Sequence, residues 1–362
     1  MIRYDIAIAG AGPAGSVLAL LAARAGYRVL LAERSRFDNP RFGETAPPEL
    51  RVILARVGLE HLAQPPFCRE APEVLSVWGG VEPTSRHHIF SPYGAALHLD
   101  RRAFDEALAL AARDAGADLK LGCAVRFGPQ SPEGHIVQLP GEHARSNFAI
   151  LAAGRAAGGL GLPYVRHYLD TNVGVAAHFS PPAGNFDSRT LIEAVPGGWI
   201  YFAALPSNTA IVVFVTSASL VPSERRARLR WWLEALAQTN VVRKALNGCR
   251  LPESVSVMDA RGSYAKSGGG ERWLAVGDAR IAPDPLCGQG IIWAIDDAVS
   301  VVELLGRSGW HALAEEMRAR TKREVERYLV DRSYVYSSEK RFGSAPFWRS
   351  APGHPPIYLQ ET

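Results

Sequence analysis

Apolar and polar positions along the chain fall into two regimes that interrupt one another. The first is of strand–helix–strand type. YDIAIA, residues 4–9, is an unbroken apolar run of strand length; GAGPAG follows, and SVLALLAARAG is an Ala- and Leu-rich helical stretch closed by Gly26. YRVLLAER is the next strand, RFGETAPPEL a Pro-rich loop, and a short helix is expected to about Leu62. Residues 73–99 look strand-like. DRRAFDEALALAARDAG is an amphipathic helix with Asp100 as its cap, LKLGCAVRF and HIVQLP suggest paired strands, and NFAILAAG is another buried strand. The second regime is strict alternation. TNVGVAAHF, RTLIEAV, GWIYFAAL and TAIVVFVT, between about 171 and 216, predict an antiparallel sheet with one face buried. SERRARLRWWLEALAQ is amphipathic, with a solvated basic face. RWLAVGDA then returns to the first type as a last strand, GIIWAIDDAVSVVELLG is the helix after it, and two more helices are expected over roughly 311–340 before a Pro-rich, irregular tail.

This order predicts an α/β fold in which a Rossmann-like nucleotide-binding domain is assembled from residues 1–72, 100–155 and 256–307. An inserted antiparallel-sheet substrate domain covers 73–99 and 156–255, and C-terminal helices and tail cover 308–362. The 362 residues suffice for two joined units, and 47% hydrophobic with 21% charged residues is an ordinary globular balance. The net charge of +4 is too small to predict nucleic-acid binding. The apolar run VLALLAA is too short to span a bilayer, and a soluble cytoplasmic protein is expected. Cys68, Cys123, Cys249 and Cys287 are scattered without a CxxC pair, so neither a disulfide framework nor a zinc site is expected. His87 and His88, adjacent on a strand, point to opposite faces and make a poor metal pair.

Two glycine-rich turns carry the chemistry. Gly10-Ala-Gly12-Pro-Ala14-Gly15 fits a dinucleotide fingerprint: a tight turn, a close approach of the pyrophosphate to the backbone, and a close helix–strand contact. Glu33 ends the second strand, where an acid accepts hydrogen bonds from the ribose hydroxyls. The later stretch VGDARIAPDPLCGQG, from Val276, ends in Gly288-Gln289-Gly290 at a helix start, and Pro283 and Pro285 stiffen it by fixing φ. Asp296 and Asp297 just beyond it are expected at solvent or as cap residues.

The motifs GAGPAG…LAER, DRRAFDEAL and LAVGDA…DPLCGQG resemble the FAD-dependent monooxygenases of the p-hydroxybenzoate hydroxylase fold. GETAPPEL and GGWIYFAALP resemble the halogenase-like branch of that fold. The resemblance, extended by the tail EKRFGSAPFW, is nearest to short flavoproteins that modify a tryptophan in a partner polypeptide during maturation of cysteine tryptophylquinone enzymes. It implies FAD as cofactor, O2 as co-substrate, and NAD(P)H or another reduced donor. It implies hydroxylation of an aromatic ring through a C4a-hydroperoxyflavin, with the ring held close in a dry site. By the same resemblance Arg101 contacts the FAD phosphate region and Asp278, after Gly277, bonds the ribityl chain. Gly288, Gln289, Gly290 and Ile291 lie at the flavin ring; Arg34 and Gly43 complete the cofactor set. Glu44 and Pro283 are the candidate catalytic residues, with Glu44 bordering the flavin and able to orient an indole N–H or relay a proton. Trp199 and Tyr201 are candidates for the substrate wall.

Three departures narrow this. Ala153 stands before Gly154 where many hydroxylases of the fold carry an acid, which leaves the usual nicotinamide route in question. No lysine precedes Lys120, whereas halogenases use one on the tunnel between flavin and substrate. Cys287 replaces the usual Ser and is read as a small filler. A small-molecule aromatic hydroxylase is the alternative; a halogenase, a prenyl reductase and a non-catalytic escort protein rank below it.

Overall fold

The structure, a computed structural model, describes residues 1–182 and 184–350. The Pro-rich end of the expected tail, from residue 351, lies outside the described residues.

The apolar run at the N-terminus becomes β1 (Ile2–Ala9), at the centre of an eight-stranded sheet. Parallel β2 (Val29–Glu33) and β8 (Asp118–Leu121) extend it on one side. On the other side lie β11 (Glu142–Leu151), β20 (Trp273–Ala275) and β19 (Gly269–Gly270). The register Ile6↔Phe148 and Ala149↔Trp273 places a strand from the last third of the chain beside the first pair. β9 (Arg126–Ser131) and β10 (Gly134–Leu139) append to β11. One face of this sheet buries α1 (Pro13–Arg24), α2 (Leu50–Arg56), α3 (Arg101–Asp114) and the start of α6 (Gly290–Ser338) around Leu18, Leu54, Phe104 and Ile295.

A seven-stranded sheet forms the second layer. Its order is β17 (Ser256–Asp259), β13 (Asn172–Phe179), β16 (Ala210–Ser217), β15 (Gly198–Ala204), β14 (Thr190–Val195), β5 (Glu73–Val77) and β6 (Thr84–His87). Strict alternation divides its two faces. Ile200, Phe202, Val212 and Phe214 pack on α4 (Arg225–Ala237) and α5 (Val241–Ala245), while Trp199, Tyr201, Val213 and Val215 face the other layer. The segment 256–307, expected in the nucleotide layer, opens with β17, which is hydrogen-bonded to β13 in this second sheet. Two three-stranded sheets join the layers: β3 (Thr45–Ala46), β7 (Ala96–Leu99) and β4 (Cys68–Ala71), and β12 (Val165–Tyr168), β18 (Ser263–Ser267) and β21 (Ile281–Ala282).

In place of three separate C-terminal helices, α6 runs from Gly290 to Ser338 with one break, at Gly309 (φ 70°). Asp296 and Arg320 lie 24 residues apart, which is about 36 Å along a straight helix. Arg320 Nη2 nevertheless bonds Asp296 Oδ2 at 2.6 Å, and the Trp293 and Tyr328 ring centroids are 6.2 Å apart. Gly309 therefore folds α6 into two antiparallel arms. The short helix α7 (Pro346–Ser350) seats Phe347 and Trp348 against Tyr336 on the returning arm.

Candidate active site

A cavity of about 1110 Å3 runs between the two layers, from the Gly10–Ala14 turn to the inner face of the seven-stranded sheet. At its nucleotide end the backbone is pulled tight. A Cβ on Gly15 would lie 1.9 Å from the Gly10 carbonyl oxygen, whereas one on Gly12 would meet nothing within 4 Å. Gly15 thus closes the helix onto the strand, and Gly12 leaves room for a ligand. Glu33 is buried and its carboxylate already organises the turn. It accepts the Ala11 N–H at 2.9 Å and the Ser35 N–H and hydroxyl at 3.0 and 2.7 Å, with Arg41 at 3.2 Å. Burial alone would raise its pKa; these donors and the Arg41 charge bring it below the usual carboxylate value.

α1 and α6 both present their N-termini to this cavity. Neither has a side-chain cap or an acid in its first turn. Free N–H groups and two positive helix ends in one cavity fit a ligand with a pyrophosphate at one end and a ring that becomes anionic at the other. The donor set and the room at Gly12 therefore fit FAD.

Asp278 lies on the cavity wall, 3.6 Å from Arg155 Nε. Its turn is built from remote parts. Gly277 has φ +58°, and its Cβ position is filled by the Ala14 methyl at 2.8 Å, so the two glycine-rich turns touch. Gly277 N–H donates to Asp297 Oδ2 at 2.8 Å, and Arg280 forks onto the same carboxylate at 2.7 and 2.6 Å. Asp297 is buried, contrary to its expected solvent or cap position, and Arg280 is buried with it. The helical period turns Asp297 inward because Arg280 supplies the opposite charge there. Arg155 donates to the Pro283 carbonyl at 3.0 Å, and Arg166 to the carbonyls of Gly154 and Asp278 at 2.8 and 2.9 Å.

The Pro-Asp-Pro segment is anchored by its acid. Asp284 is fully buried. Its Oδ1 accepts the Leu286 N–H at 2.9 Å and its Oδ2 the Tyr336 hydroxyl at 2.8 Å, while its own N–H donates to the Tyr328 hydroxyl at 2.6 Å. Tyr336 in turn accepts Trp199 Nε1–H at 3.1 Å. A buried line of hydrogen bonds thus joins the inner sheet face, the returning arm of α6 and the loop beside the cavity.

At the substrate end, Glu44 and Tyr201 line the cavity, and the Thr45 and Tyr201 hydroxyls bond at 2.6 Å. Glu44 is buried. Burial pushes its carboxyl up to about 7, a rise only partly offset by its own and the Gly43 N–H and by the Arg101 charge. Arg101 lines the cavity, but its donors are engaged: Nη1 with the carbonyls of Phe42 and Gly43 at 2.7 and 3.0 Å, Nε and Nη2 with Asp105 at 3.1 and 3.0 Å. It ties the loop that carries Glu44 to α3. Burial would lower the Arg101 pKa, yet Asp105 and then Glu44 raise it, so the charge is fixed. Cys287 also faces the cavity, with its thiol pushed by burial to about 11.

Of the residues singled out in the sequence, Gly10, Gly12, Ala14, Glu33, Arg34, Gly43, Glu44, Arg101, Asp278, Pro283 and the run Gly288–Ile291 all line the one cavity, with Trp199 and Tyr201. Gly15 and Gly277 do not; they pack the two turns behind it. Sequence reasoning missed Arg155, Asp284, Asp297 and Tyr336. Only Arg155 had a local signal, as the one charge in LAAGRAAGG. Among the described residues no group of three or more His, Cys, Asp or Glu is placed to hold a metal, and no helix is long and apolar enough to cross a membrane.

Comparison with known proteins agrees with this architecture, although no protein-family model matches the chain. The structure superposes on the myxobacterial chondrochloren halogenase CndH with a TM-score of 0.86 at 21% identity, over 97% of this chain and 86% of that one. On the peptidyl tryptophan dihydroxylase QhpG, essential for tryptophylquinone cofactor biogenesis, it superposes with a TM-score of 0.79 at 23% identity, over 99% and 81%. The fold is therefore the one shared by the FAD-dependent halogenases and this dihydroxylase. In sequence the chain is 29% identical, over 96% of its length and 97% of the other's, to LodB of Marinomonas mediterranea, which bears the provisional name of FAD-dependent oxidoreductase. It is 24% identical to the tryptophan 2-halogenase of Chondromyces crocatus, over 81% of this chain and 59% of that one.

Proposed function

We propose that the chain is an FAD-dependent monooxygenase that hydroxylates an aromatic ring, the side chain of a tryptophan in a partner polypeptide, during maturation of a quinone cofactor. The observation that carries this is Glu44: a buried carboxyl, raised to about 7, beside Tyr201 on the aromatic side of the cavity. Such a group is poised to exchange a proton at neutral pH. Reduced FAD supplies activated oxygen when bound. The two uncapped helix ends bind its phosphates and ring, Glu33 takes the ribose hydroxyls, and Asp278 the ribityl chain. Trp199 and Tyr201 stack or edge the incoming indole. Glu44 orients the indole N–H and takes the proton that the ring carbon releases once oxygen is attached.

The likeness to halogenases gives the competing reading. Halogenases place a lysine ammonium along the tunnel to deliver hypohalous acid, and no lysine is among the described residues lining this cavity. One experiment separates the two. The FAD-loaded protein is supplied with a reductant, O2, chloride and bromide, and a tryptophan-containing peptide from a quinone-cofactor protein. The product is read by mass spectrometry. A gain of oxygen without halogen is expected; a chlorine or bromine isotope pattern would overturn the reading.

A further inference from the structure

We infer that the open edge of β6 is the docking strand for the substrate polypeptide, which adds to the seven-stranded sheet as an eighth strand and thereby carries its aromatic side chain to the cavity mouth. This rests on the reading of a peptidyl substrate above.

β6 pairs with β5 on one side, and among the described residues nothing pairs with its other side. The register is Val74↔Arg86 and Ser76↔Thr84, and the His88 N–H donates to the Pro72 carbonyl at 2.9 Å. Antiparallel ladders bond at every second residue, so Thr84, Arg86 and His88 turn their backbone groups toward β5. Ser85 and His87 turn theirs outward. Side chains alternate on the same period. Arg86 and His88 both line the cavity, and Arg86 continues a row of directly paired cavity residues, Thr190–Val74–Arg86. A strand hydrogen-bonded to Ser85 and His87 extends that row, with every second side chain on the cavity face.

Two further features fit a polypeptide on this edge. Ile89 and Phe90, directly after β6, are 81% and 93% exposed, an apolar anchor with no cover among the described residues. Arg86 makes no ion pair among the described residues, so a peptide with acidic residues beside its tryptophan has the complementary charge. An unpaired edge, an apolar anchor and alternate-side-chain selection together are the elements of strand addition.

The test uses the FAD-loaded full chain and a fluorescein-labelled synthetic peptide with one tryptophan between acidic residues, followed by anisotropy. Ser85→Pro removes an outward N–H at an exposed position, and Phe90→Ser removes the anchor. Each is expected to weaken binding by about tenfold or more. N-methylation of alternate peptide amides is expected to abolish binding in one register and spare it in the other. Lysine flanks are expected to weaken it, and Arg86→Glu to reverse that preference. Free indole, followed by its perturbation of flavin absorbance, is expected to bind wild type and both variants alike, which also shows that they fold. Equal peptide affinity in all variants, or indifference to N-methylation, overturns the docking strand. If the peptide is still hydroxylated in that case, the proposed function stands without it. Binding at β6 with no oxidised product would leave the docking strand and remove the function.

Discussion

The two ends of the cavity are built in opposite ways. The nucleotide end is made largely of backbone: glycine turns, free N–H groups and helix starts, with Glu33 held by the Ala11 N–H of the glycine turn and by Ser35. The substrate end is made of side chains from distant segments, such as Tyr201 with Thr45, Trp199 with Tyr336, and Tyr336 with Asp284. A backbone cradle accepts one ligand shape whatever surrounds it. A side-chain wall can be re-cut by single substitutions, which is consistent with one fold serving both halogenases and a dihydroxylase.

Substitutions can break this contrast in order of expected size. Asp297→Ala strikes the cradle from behind. It leaves buried Arg280 with Glu324 as its remaining carboxylate partner and frees the Gly277 N–H, so a loss of about 3–5 kcal/mol in denaturant unfolding is expected, with FAD released. Glu44→Gln strikes the wall. Hydroxylation is expected to fall by about a hundredfold or more in steady-state rate, while FAD binding persists. The same change acts on stability with the opposite sign. The folded protein keeps the Glu44 proton to a pH of about 7, whereas an unperturbed carboxyl releases it near 4.5. Between these values the folded state holds more protons, so wild-type stability declines as pH rises and levels off above 7. The decline is on the order of 3 kcal/mol. In Glu44→Gln that decline should vanish, leaving the variant the more stable form at pH 8 in parallel melts.

Tyr336→Phe is the milder break. It removes one hydrogen bond to Asp284 and one from Trp199, at an expected cost of about 1–3 kcal/mol in thermal unfolding. Faster FAD dissociation is expected with it, since the loop loses an anchor. Cys287→Ser sharpens the contrast by doing nothing: a thiol held protonated beside the cavity is filler, and less than about 0.5 kcal/mol and unchanged turnover are expected. Peroxide sensitivity that disappears in Cys287→Ser would give the thiol a redox role instead.

The same contrast explains what could be read from the chain. The cradle was legible because its chemistry is local: Gly10 to Gly15 and Gly288 to Gly290 declare their conformations within a handful of residues. The alternating strands declared the second sheet equally well. Asp297 was misjudged because its helix neighbours suggest solvent, and only the fold brings Arg280 to it. Asp284 lay in plain view between two prolines, but its partners Tyr328 and Tyr336 are 44 and 52 residues away. The break at Gly309 falls between the helix expected to end at Gly306 and those expected from about 311, whereas the further break expected within 311–340 is absent and the returning arm runs on to Ser338. Arg101 was read as a ligand contact, and its guanidinium is engaged with Asp105 and the Phe42–Gly43 carbonyls.

The fold at Gly309 has a mechanical consequence. The chain leaves the Pro283–Pro285 segment through Gly290, travels out along one arm, and returns on the other to grip that same segment through Tyr328 and Tyr336. The segment is thus buckled like a strap through its own continuation. Raising it would mean parting the two arms, which the Arg320–Asp296 pair joins directly and Arg280 bridges through Asp297 on one and Glu324 on the other. It therefore serves as masonry rather than as a door.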